Sequence, residues 1–166
     1  MKTLHLLRHA KSSWQAPGVD DHDRDLNDRG RRDAPRMGRA LEGQFKPQAI
    51  YCSSARRATL TLEGFCDGWP ELKAQRHVLD ETLYIFDWEV LMGWLQDLKS
   101  GAESCFIIGH NPALTELCNQ LVGRRALDNL PTAGYLCLSL PIDDWSDVTE
   151  GIAELEQWLF PRVLPA

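Results

Sequence analysis

The sequence contains no long apolar run. Hydrophobic residues make up 43% of its 166 residues, yet no stretch approaches the roughly 18 consecutive apolar residues that a membrane span requires. Met1 and Lys2 lead directly into strand-like sequence, without the apolar core and cleavage site of a secretory signal. We therefore expect a chain that has no membrane partner and lies in the cytoplasm.

An excess of positive charge is also absent. The chain has 18 Lys and Arg residues against 24 Asp and Glu residues, a formal net charge of −6. Proteins that bind nucleic acid or anionic membranes usually present a strongly basic face. We therefore expect no nucleic-acid partner, and any site that binds an anion has to be a local one.

The cysteines lack the spacing of a metal site. They are five in number and none forms a C-x-x-C pair, and all of them lie in apolar segments: Cys52, Cys66, Cys105, Cys118 and Cys137. This distribution is typical of buried free thiols. We expect no metal site and no cofactor.

Short strand-like runs recur along the chain and alternate with helical patterns. The predicted strands are residues 3–8, 49–53, 74–79, 105–108, 135–140 and 152–160. Strands that alternate with helices favour right-handed crossovers and a mostly parallel sheet. The length fits a single domain, residues 1–166. The predicted fold is an α/β three-layer sandwich, with helices on both faces of a mostly parallel central sheet.

Each of three predicted helices starts at a polar residue. We predict N-caps at Asn27, Ser54 and Asn111, the last followed by Pro112 at the first helical position. The remaining helix is predicted from apolar residues at helical spacing, at positions 88, 91, 95 and 98. Residues 15–30 form a long polar loop, and its acidic run is expected to be solvated.

Groups that attract anions follow three of the predicted strands. The first strand ends in Arg8 and His9, the second is followed by Arg57, and the fourth is followed by His110. In an open α/β sheet, ligands bind in the crevice outside the C-terminal ends of the strands. An arginine fork matches the oxygens of a phosphate group. The sequence therefore predicts a phosphate site at one edge of the sheet.

Three stretches in this order resemble the signatures of a known family. "LLRHAKSSW", "CSSARRATLT" and "IIGHNP" are similar to those of the histidine phosphatase superfamily, which includes phosphoglycerate mutases and acid phosphatases. Ala10 stands where the mutases carry glycine, and the short chain most resembles the small bacterial phosphohistidine phosphatases (SixA-type). The similarity runs from residue 4 to about residue 116 and implies a phosphoglycerate mutase-like fold.

The resemblance also implies roles for particular residues. His9 would be the nucleophile that becomes phosphorylated, and Arg8 and Arg57 would hold the phosphoryl oxygens. His110 would donate a further hydrogen bond to them. Gln15 stands at the position of an asparagine that contacts phosphate in the mutases.

A general acid is the remaining requirement for an oxygen leaving group. Glu81 stands where the mutases keep their acidic residue, and its neighbour Asp80 is a rival. A third possibility is that Glu81 is a surface carboxylate, because a protonated phosphohistidine leaves readily without an acid.

The segment between Glu81 and His110 has room for one helix and one strand only, residues 82–109. The lid that mutases insert there is absent, so the site should be open. Small sugar phosphates usually need enclosing contacts, whereas an open rim admits a phosphohistidine on a protein surface.

The sequence thus predicts a monomeric, metal-independent phosphatase that forms a phosphohistidine intermediate and acts on phosphohistidine in a protein partner. Two alternatives stay open. One is a phosphatase of a small phosphate ester, and the other is a catalytically silent adaptor that binds phosphorylated partners.

Overall fold

A computed structural model describes residues 1–14 and 17–165 of the chain. Six strands and four α-helices lie in this part: β1 (Lys2–Arg8), α1 (Asp28–Leu41), β2 (Ile50–Ser53), α2 (Arg56–Gly68), β3 (Val78–Asp80), α3 (Trp88–Gln96), β4 (Ser104–Gly109), α4 (Ala113–Val122), β5 (Tyr135–Leu140) and β6 (Glu154–Leu159). No helix within these ranges combines the length and apolar character needed to cross a membrane.

The six strands form one sheet in the order β3-β2-β4-β1-β5-β6. β3, β2, β4 and β1 pair in parallel, whereas β5 pairs antiparallel with both β1 and β6. Only β5 therefore runs against the others. The predicted mostly parallel sheet is confirmed.

Helices cover both faces of this sheet, and each face has its own core. On one face, Leu4 and Leu6 of β1 pack with α3 and α4. On the other face, Leu7 of β1 and Phe106 of β4 pack with α1 and α2. Successive side chains of a strand point to opposite faces, so strands that are buried on both sides read as continuous apolar runs. The predicted three-layer sandwich is confirmed.

α1 and α2 approach each other closely, and two glycines permit this. A Cβ added at Gly38 would lie 2.1 Å from the carbonyl oxygen of Phe65, and one at Gly68 would lie 2.0 Å from that of Pro35. Any side chain at these positions would force the helices apart. The close packing fixes the N-terminal turn of α2, which carries Arg57, relative to α1.

One of the three predicted N-caps is confirmed and two are wrong. The Asn27 side chain accepts a hydrogen bond of 2.9 Å from the backbone N–H of Gly30 and caps α1. α2 begins after Ala55, not Ser54. α4 begins after Pro112, while the Asn111 side chain accepts from the backbone N–H of Thr115, 3.1 Å away.

Two other boundaries differ from the prediction. The predicted strand 74–79 is shifted, because residues 70–74 form a short 3-10 helix and β3 comprises only Val78–Asp80. α3 ends at Gln96, so Leu98 lies beyond it. Both errors concern short elements at which apolar spacing carries little information.

Candidate active site

The C-terminal ends of β1 and β4 bring two histidines together. β1 and β4 are parallel neighbours with Arg8 opposite Gly109, and the N–H of His9 donates to the carbonyl oxygen of Gly109 at 3.1 Å. His9 and His110 each follow directly, and their ring centroids are 5.2 Å apart. Both histidines are buried.

Arg57 reaches both imidazoles from the first turn of α2. Its Nε donates to Nε2 of His9 at 3.4 Å, and its Nη2 lies 3.5 Å from Nδ1 of His110. The guanidinium is buried. The structure thus places three of the predicted site residues in one cluster at the edge of the sheet where we expected them.

A backbone contact fixes the tautomer of His9. Its Nδ1 lies 2.7 Å from the carbonyl oxygen of Ala10. A carbonyl oxygen can only accept, so Nδ1 carries the ring proton and Nε2 holds the lone pair. The loop is held in turn by Thr61, whose hydroxyl accepts from the N–H of Ala10 at 2.8 Å. The basic nitrogen of His9 therefore faces Arg57.

His110 is oriented by Ser53, the last residue of β2. The Ser53 hydroxyl lies 2.7 Å from Nε2 of His110. The rings of Tyr84 and Phe86 pack against the same imidazole, with centroids 5.4 and 5.2 Å away. Nδ1 of His110 is left facing Arg57.

Arg8 approaches the cluster from the end of β1. Its Nη1 donates to the carbonyl oxygen of Leu130 at 2.9 Å, while its buried Nε has no partner among the described residues. Burial lowers the pKa of Arg8, and the charge of Arg57 adds to this effect. The charge of Arg8 also contributes to lowering the pKa of His9.

The sequence analysis missed Asp21, which lies in direct contact with Arg57. The Asp21 carbonyl oxygen accepts from Nη1 of Arg57 at 2.6 Å, and its carboxylate accepts from Nη2 at 3.0 Å. The carboxylate also accepts from the Tyr84 hydroxyl and from Arg24. Burial raises the pKa of Asp21, but the hydrogen bonds from Tyr84, Arg24 and Arg57 outweigh it and lower the pKa overall. Asp21 is exposed, as expected for a solvated acidic loop, but its carboxylate also contacts Arg57, which the sequence analysis did not predict.

Burial keeps both histidines neutral. Desolvation lowers the pKa of His9 to about 3, with the charges of His110, Arg57 and Arg8 acting in the same direction and the Ala10 carbonyl opposing them. Desolvation and then the charge of Arg57 lower the pKa of His110 to about 3. At neutral pH the cluster therefore holds two charged arginines, balanced in part by the Asp21 carboxylate, and two uncharged imidazoles.

The buried neutral histidines predict a loss of stability in acid. Each takes up a proton in the unfolded chain below its ordinary pKa of 6.5, but in the folded chain only near pH 3. The unfolded state therefore binds more protons between these values, so the free energy of unfolding falls as the pH falls through that window. Removing both imidazoles, in His9→Ala/His110→Ala, should reduce this slope by about 2.7 kcal/mol per pH unit near pH 5.

Urea unfolding of the wild type and the double variant at pH 7, 6 and 5 measures this slope. His5, whose pKa burial lowers to about 4, is present in both proteins and contributes equally. Equal slopes for the two proteins would contradict the neutral, buried state of His9 and His110.

The two acidic candidates lie at the same edge of the sheet but outside the cluster. Glu81 is exposed, directly after β3, and within the described ranges it makes no hydrogen bond or ion pair with the cluster. Asp80 is occupied elsewhere, because its carboxylate accepts from Thr82 and from the Trp94 indole. These hydrogen bonds lower the pKa of Asp80 against the opposing effect of burial, so Asp80 is a poor proton donor.

Two further positions border the predicted site. Gln15 lies outside the described residues. Arg56 points away from the cluster, with its guanidinium 3.9 Å from Asp25 and 54% of its side chain exposed. In the part of the chain that the structure covers, no group of three or more His, Cys, Asp or Glu side chains is arranged to hold a metal ion.

The sequence model of the histidine phosphatase superfamily (branch 1) matches residues 4–100. The chain belongs to this superfamily. The matched segment holds Arg8, His9 and Arg57, whereas His110 follows it. Membership of the histidine phosphatase superfamily supports phosphatase activity.

Several relatives match the chain over nearly its full length. The protein MT1313 of Mycobacterium tuberculosis is 30% identical, and the alignment covers 94% of this chain and all of that one. A structure from Agrobacterium tumefaciens named for the phosphohistidine phosphatase SixA superposes with a TM-score of 0.80 at 24% identity, covering 96% and 98% of the two chains. The protein histidine phosphatase SixA in complex with tungstate superposes with a TM-score of 0.74 at 23% identity, covering 96% and 97%. Both of these structures share the fold of the present chain.

Proposed function

We propose that the chain is a phosphatase that forms a phosphohistidine intermediate on Nε2 of His9 and that its substrate is phosphohistidine in a protein. The state of His9 carries this proposal. Its Nδ1 proton is held by the Ala10 carbonyl, its pKa is about 3, and its Nε2 faces Arg57. A neutral imidazole with a fixed tautomer is a competent nucleophile throughout the physiological pH range.

In the first step, the lone pair on Nε2 of His9 attacks the phosphorus. A P–N bond forms as the bond from phosphorus to the leaving group breaks, and the bonding electrons go to the leaving group. Transfer of this kind needs positioning and charge neutralisation above all. Arg57 and Arg8 supply two fixed positive charges, so the proposal requires no metal ion.

The phosphoryl oxygens replace the groups that accept hydrogen bonds from Arg57 in the structure. Nη1 and Nη2 of Arg57 exchange the carbonyl and carboxylate oxygens of Asp21 for phosphoryl oxygens, and the unpartnered N–H of Arg8 is a further donor. With the Ser53 hydroxyl donating to Nε2 of His110, Nδ1–H of His110 donates to the same oxygens.

In the second step, a water molecule attacks the phosphorus of the intermediate. The P–N bond to His9 breaks, its electrons return to Nε2 as the lone pair, and the proton of the water passes to phosphate or solvent. The same donors stabilise both transition states. Tungstate is a tetrahedral oxyanion like phosphate, and its binding to a protein of the same fold supports an oxyanion site here.

The short segment between Glu81 and His110 supports a protein substrate. Residues 82–109 hold little more than α3 and β4, and from this region Tyr84 and Phe86 pack against His110. Phe86, at the rim beside His110, is 42% exposed, and Trp14 is 75% exposed. A cytoplasmic location is part of the proposal, and it is supported by five cysteines that are all free.

Turnover in the presence of EDTA tests the proposal. We expect release of phosphate from a histidine-phosphorylated protein and from p-nitrophenyl phosphate. A folded protein that turns over neither contradicts it. A higher kcat/KM on a metabolite phosphate than on the phosphoprotein would establish a small phosphate ester as the substrate instead. Tight phosphopeptide binding that survives His9→Ala, without turnover by the wild type, would establish an adaptor.

We propose that Glu81 donates a proton only when the leaving group is a poorly stabilised oxygen. Glu81→Gln should lower kcat by about 10²-fold on an alkyl phosphate, the size typical of a general acid. On a phosphohistidine peptide the change should be less than about threefold, because a protonated imidazole leaves without help. Glu89→Gln, an exposed glutamate at the start of α3, is the matched control. Equal losses on both substrates would rule out this role.

A further inference from the structure

A strongly basic groove lies on the outer face of α1, away from the catalytic cluster. It has a volume of about 830 Å³ and is bordered by the C-terminal residues 161–165. Its charged lining residues are Arg29, Arg32, Asp33, Arg36, Arg39 and Arg162. Five arginines and one aspartate give the groove a net charge of +4 in a chain whose net charge is −6.

The arginines of α1 share one face because of their spacing. Residues 29, 32, 36 and 39 recur at three and four positions, which aligns them along the helix. The stripe is about 15 Å long, at a rise of about 1.5 Å per residue. It is thus long enough to contact several residues of an extended partner.

Most of this charge is not neutralised within the chain. Asp33 is the carboxylate partner of Arg29, Arg32 and Arg36, at 3.5, 4.0 and 2.9 Å. Within residues 1–14 and 17–165, Arg39 and Arg162 form no ion pair with a carboxylate. One buried carboxylate therefore pairs with three arginines, and the other two arginines, Arg39 and Arg162, are exposed.

Arg36 gives the groove a fixed wall. Its Nη2 donates to the carbonyl oxygens of Pro161, Leu164 and Pro165, at 3.4, 3.4 and 3.0 Å, which ties the C-terminal segment to α1. The side chains of Arg29 and Arg32 remain 55% and 68% exposed. An incoming ligand therefore meets exposed arginine side chains beside a segment that hydrogen bonds hold in place.

The first turn of α1, at one end of the groove, contacts the loop that follows His9. The N–H of Asn27 donates to the carbonyl oxygen of Lys11 at 3.0 Å, and a Cβ on Gly30 would lie 2.2 Å from the same oxygen. The first turn of α1, with Arg29, thus abuts the segment that begins two residues after His9. A protein substrate with its phosphohistidine at His9 is large enough to reach over this turn, whereas a small phosphate ester is not.

We infer that the arginine groove of α1 is a docking surface for an acidic segment of the phosphorylated protein substrate. The inference rests on the proposed function. Charge complementarity identifies the partner, because a row of arginines attracts carboxylates and repels basic segments. The contact raises the rate of productive encounter and leaves the chemical step at His9 unchanged.

Two matched peptides test the inference. Each carries one phosphohistidine, a linker of six glycines and serines, and a tail of six glutamates or six glutamines. Twelve extended residues span about 40 Å, enough to reach from His9 along α1. At low ionic strength we expect kcat/KM to be about tenfold higher for the glutamate tail, with equal kcat. The preference should shrink toward onefold near 0.5 M salt, since exposed charges are then screened over about 4 Å.

The double variant Arg32→Gln/Arg39→Gln should lose the preference for the glutamate tail. The control variant Lys73→Gln/Arg125→Gln removes the same charge from exposed sites outside the groove and should keep this preference. Both variants should hydrolyse p-nitrophenyl phosphate as the wild type does. Equal rates of the wild type on the two peptides, or a preference that survives in the groove variant, would overturn the inference and leave the proposed function intact. Hydrolysis of p-nitrophenyl phosphate without hydrolysis of either peptide would instead overturn the protein substrate.

Discussion

Replacing His9 by alanine is expected to lower kcat by about 10⁴-fold or more, because the covalent route then loses the atom that accepts the phosphoryl group. The oxyanion site should survive, since Arg57 is held by Asp21 and by α2 independently of His9. His9→Ala should therefore still bind vanadate or inorganic phosphate. Steady-state kinetics and calorimetric titration measure the two effects separately.

His77→Gln is the matched control for the loss of a histidine. His77 accepts from the N–H of Ile50 at 3.0 Å, at the opposite edge of the sheet from the cluster. Its variant should turn over substrate at the wild-type rate. If His9→Ala retained more than about one tenth of the wild-type kcat, the nucleophilic role of His9 would be untenable.

Replacing Arg57 by alanine is expected to lower kcat/KM by about 10²- to 10³-fold, which corresponds to about 3–4 kcal/mol of transition-state stabilisation. Arg57 is buried and directs N–H groups at His9 and at the oxygens of Asp21, which phosphoryl oxygens replace. Arg57→Lys should recover only part of this loss, because an ammonium group cannot form the bidentate fork.

The neighbouring residue supplies a stringent control. Arg56 carries the same charge one position earlier, but it is half exposed and points toward Asp25. Arg56→Ala should therefore change kcat/KM by less than about threefold, the scale of an exposed ion pair. Equal losses in the two variants would show that Arg57 contributes general positive charge and not directed hydrogen bonds.

The sequence predicted the sheet and the positions of the two clustered histidines because both follow from local patterns. A buried parallel strand reads as an apolar run, and the residue that follows it lies at the C-terminal edge of the sheet. His9 and His110 follow two such runs, β1 and β4, and lie beside each other for that reason. Arg57 follows β2 closely, so the same rule predicts that it lies at the C-terminal edge of the sheet.

Asp21 could not be placed in this way. It lies in a short 3-10 turn between β1 and α1, and its partners Arg57 and Tyr84 are 36 and 63 residues away in sequence. No periodicity links such positions. A weak local signal was present, since Asp21 and Arg24 stand three residues apart and form an ion pair of 2.9 Å. The contact by which Ser53 orients His110 also joins two elements that are distant in sequence, so no local pattern predicts it.

The wrong N-caps have a related cause. Two strand-to-helix turns, from β2 to α2 and from β4 to α4, also carry residues of the site. The first turn contains Ser53 and Ser54, and the second contains Asn111 and Pro112. Ser53 accepts from the N–H of Ala55 and contacts His110, so α2 begins one residue later than its composition indicates. At these turns, contacts within the site determine where the helix begins more strongly than local capping preferences do.

Asp21 also reduces the electrostatic repulsion within the cluster. Arg8, Arg57 and the two histidines would repel one another if all four were charged. The structure relieves this repulsion in two ways: burial removes the charge from both imidazoles, and the Asp21 carboxylate lies against Arg57. An arriving phosphoryl group therefore replaces an anion that is already present.

Mass spectrometry of a rapidly quenched reaction tests the central claim most directly. The enzyme is mixed with excess substrate, quenched in alkali to preserve phosphoramidates, digested and analysed for phosphopeptides. We predict a transient phosphate on the peptide that contains His9, which forms before free phosphate reaches its steady rate and is absent from His9→Ala. Release of phosphate at the full rate with no phosphorylated enzyme, or a phosphate on any other residue, would contradict it.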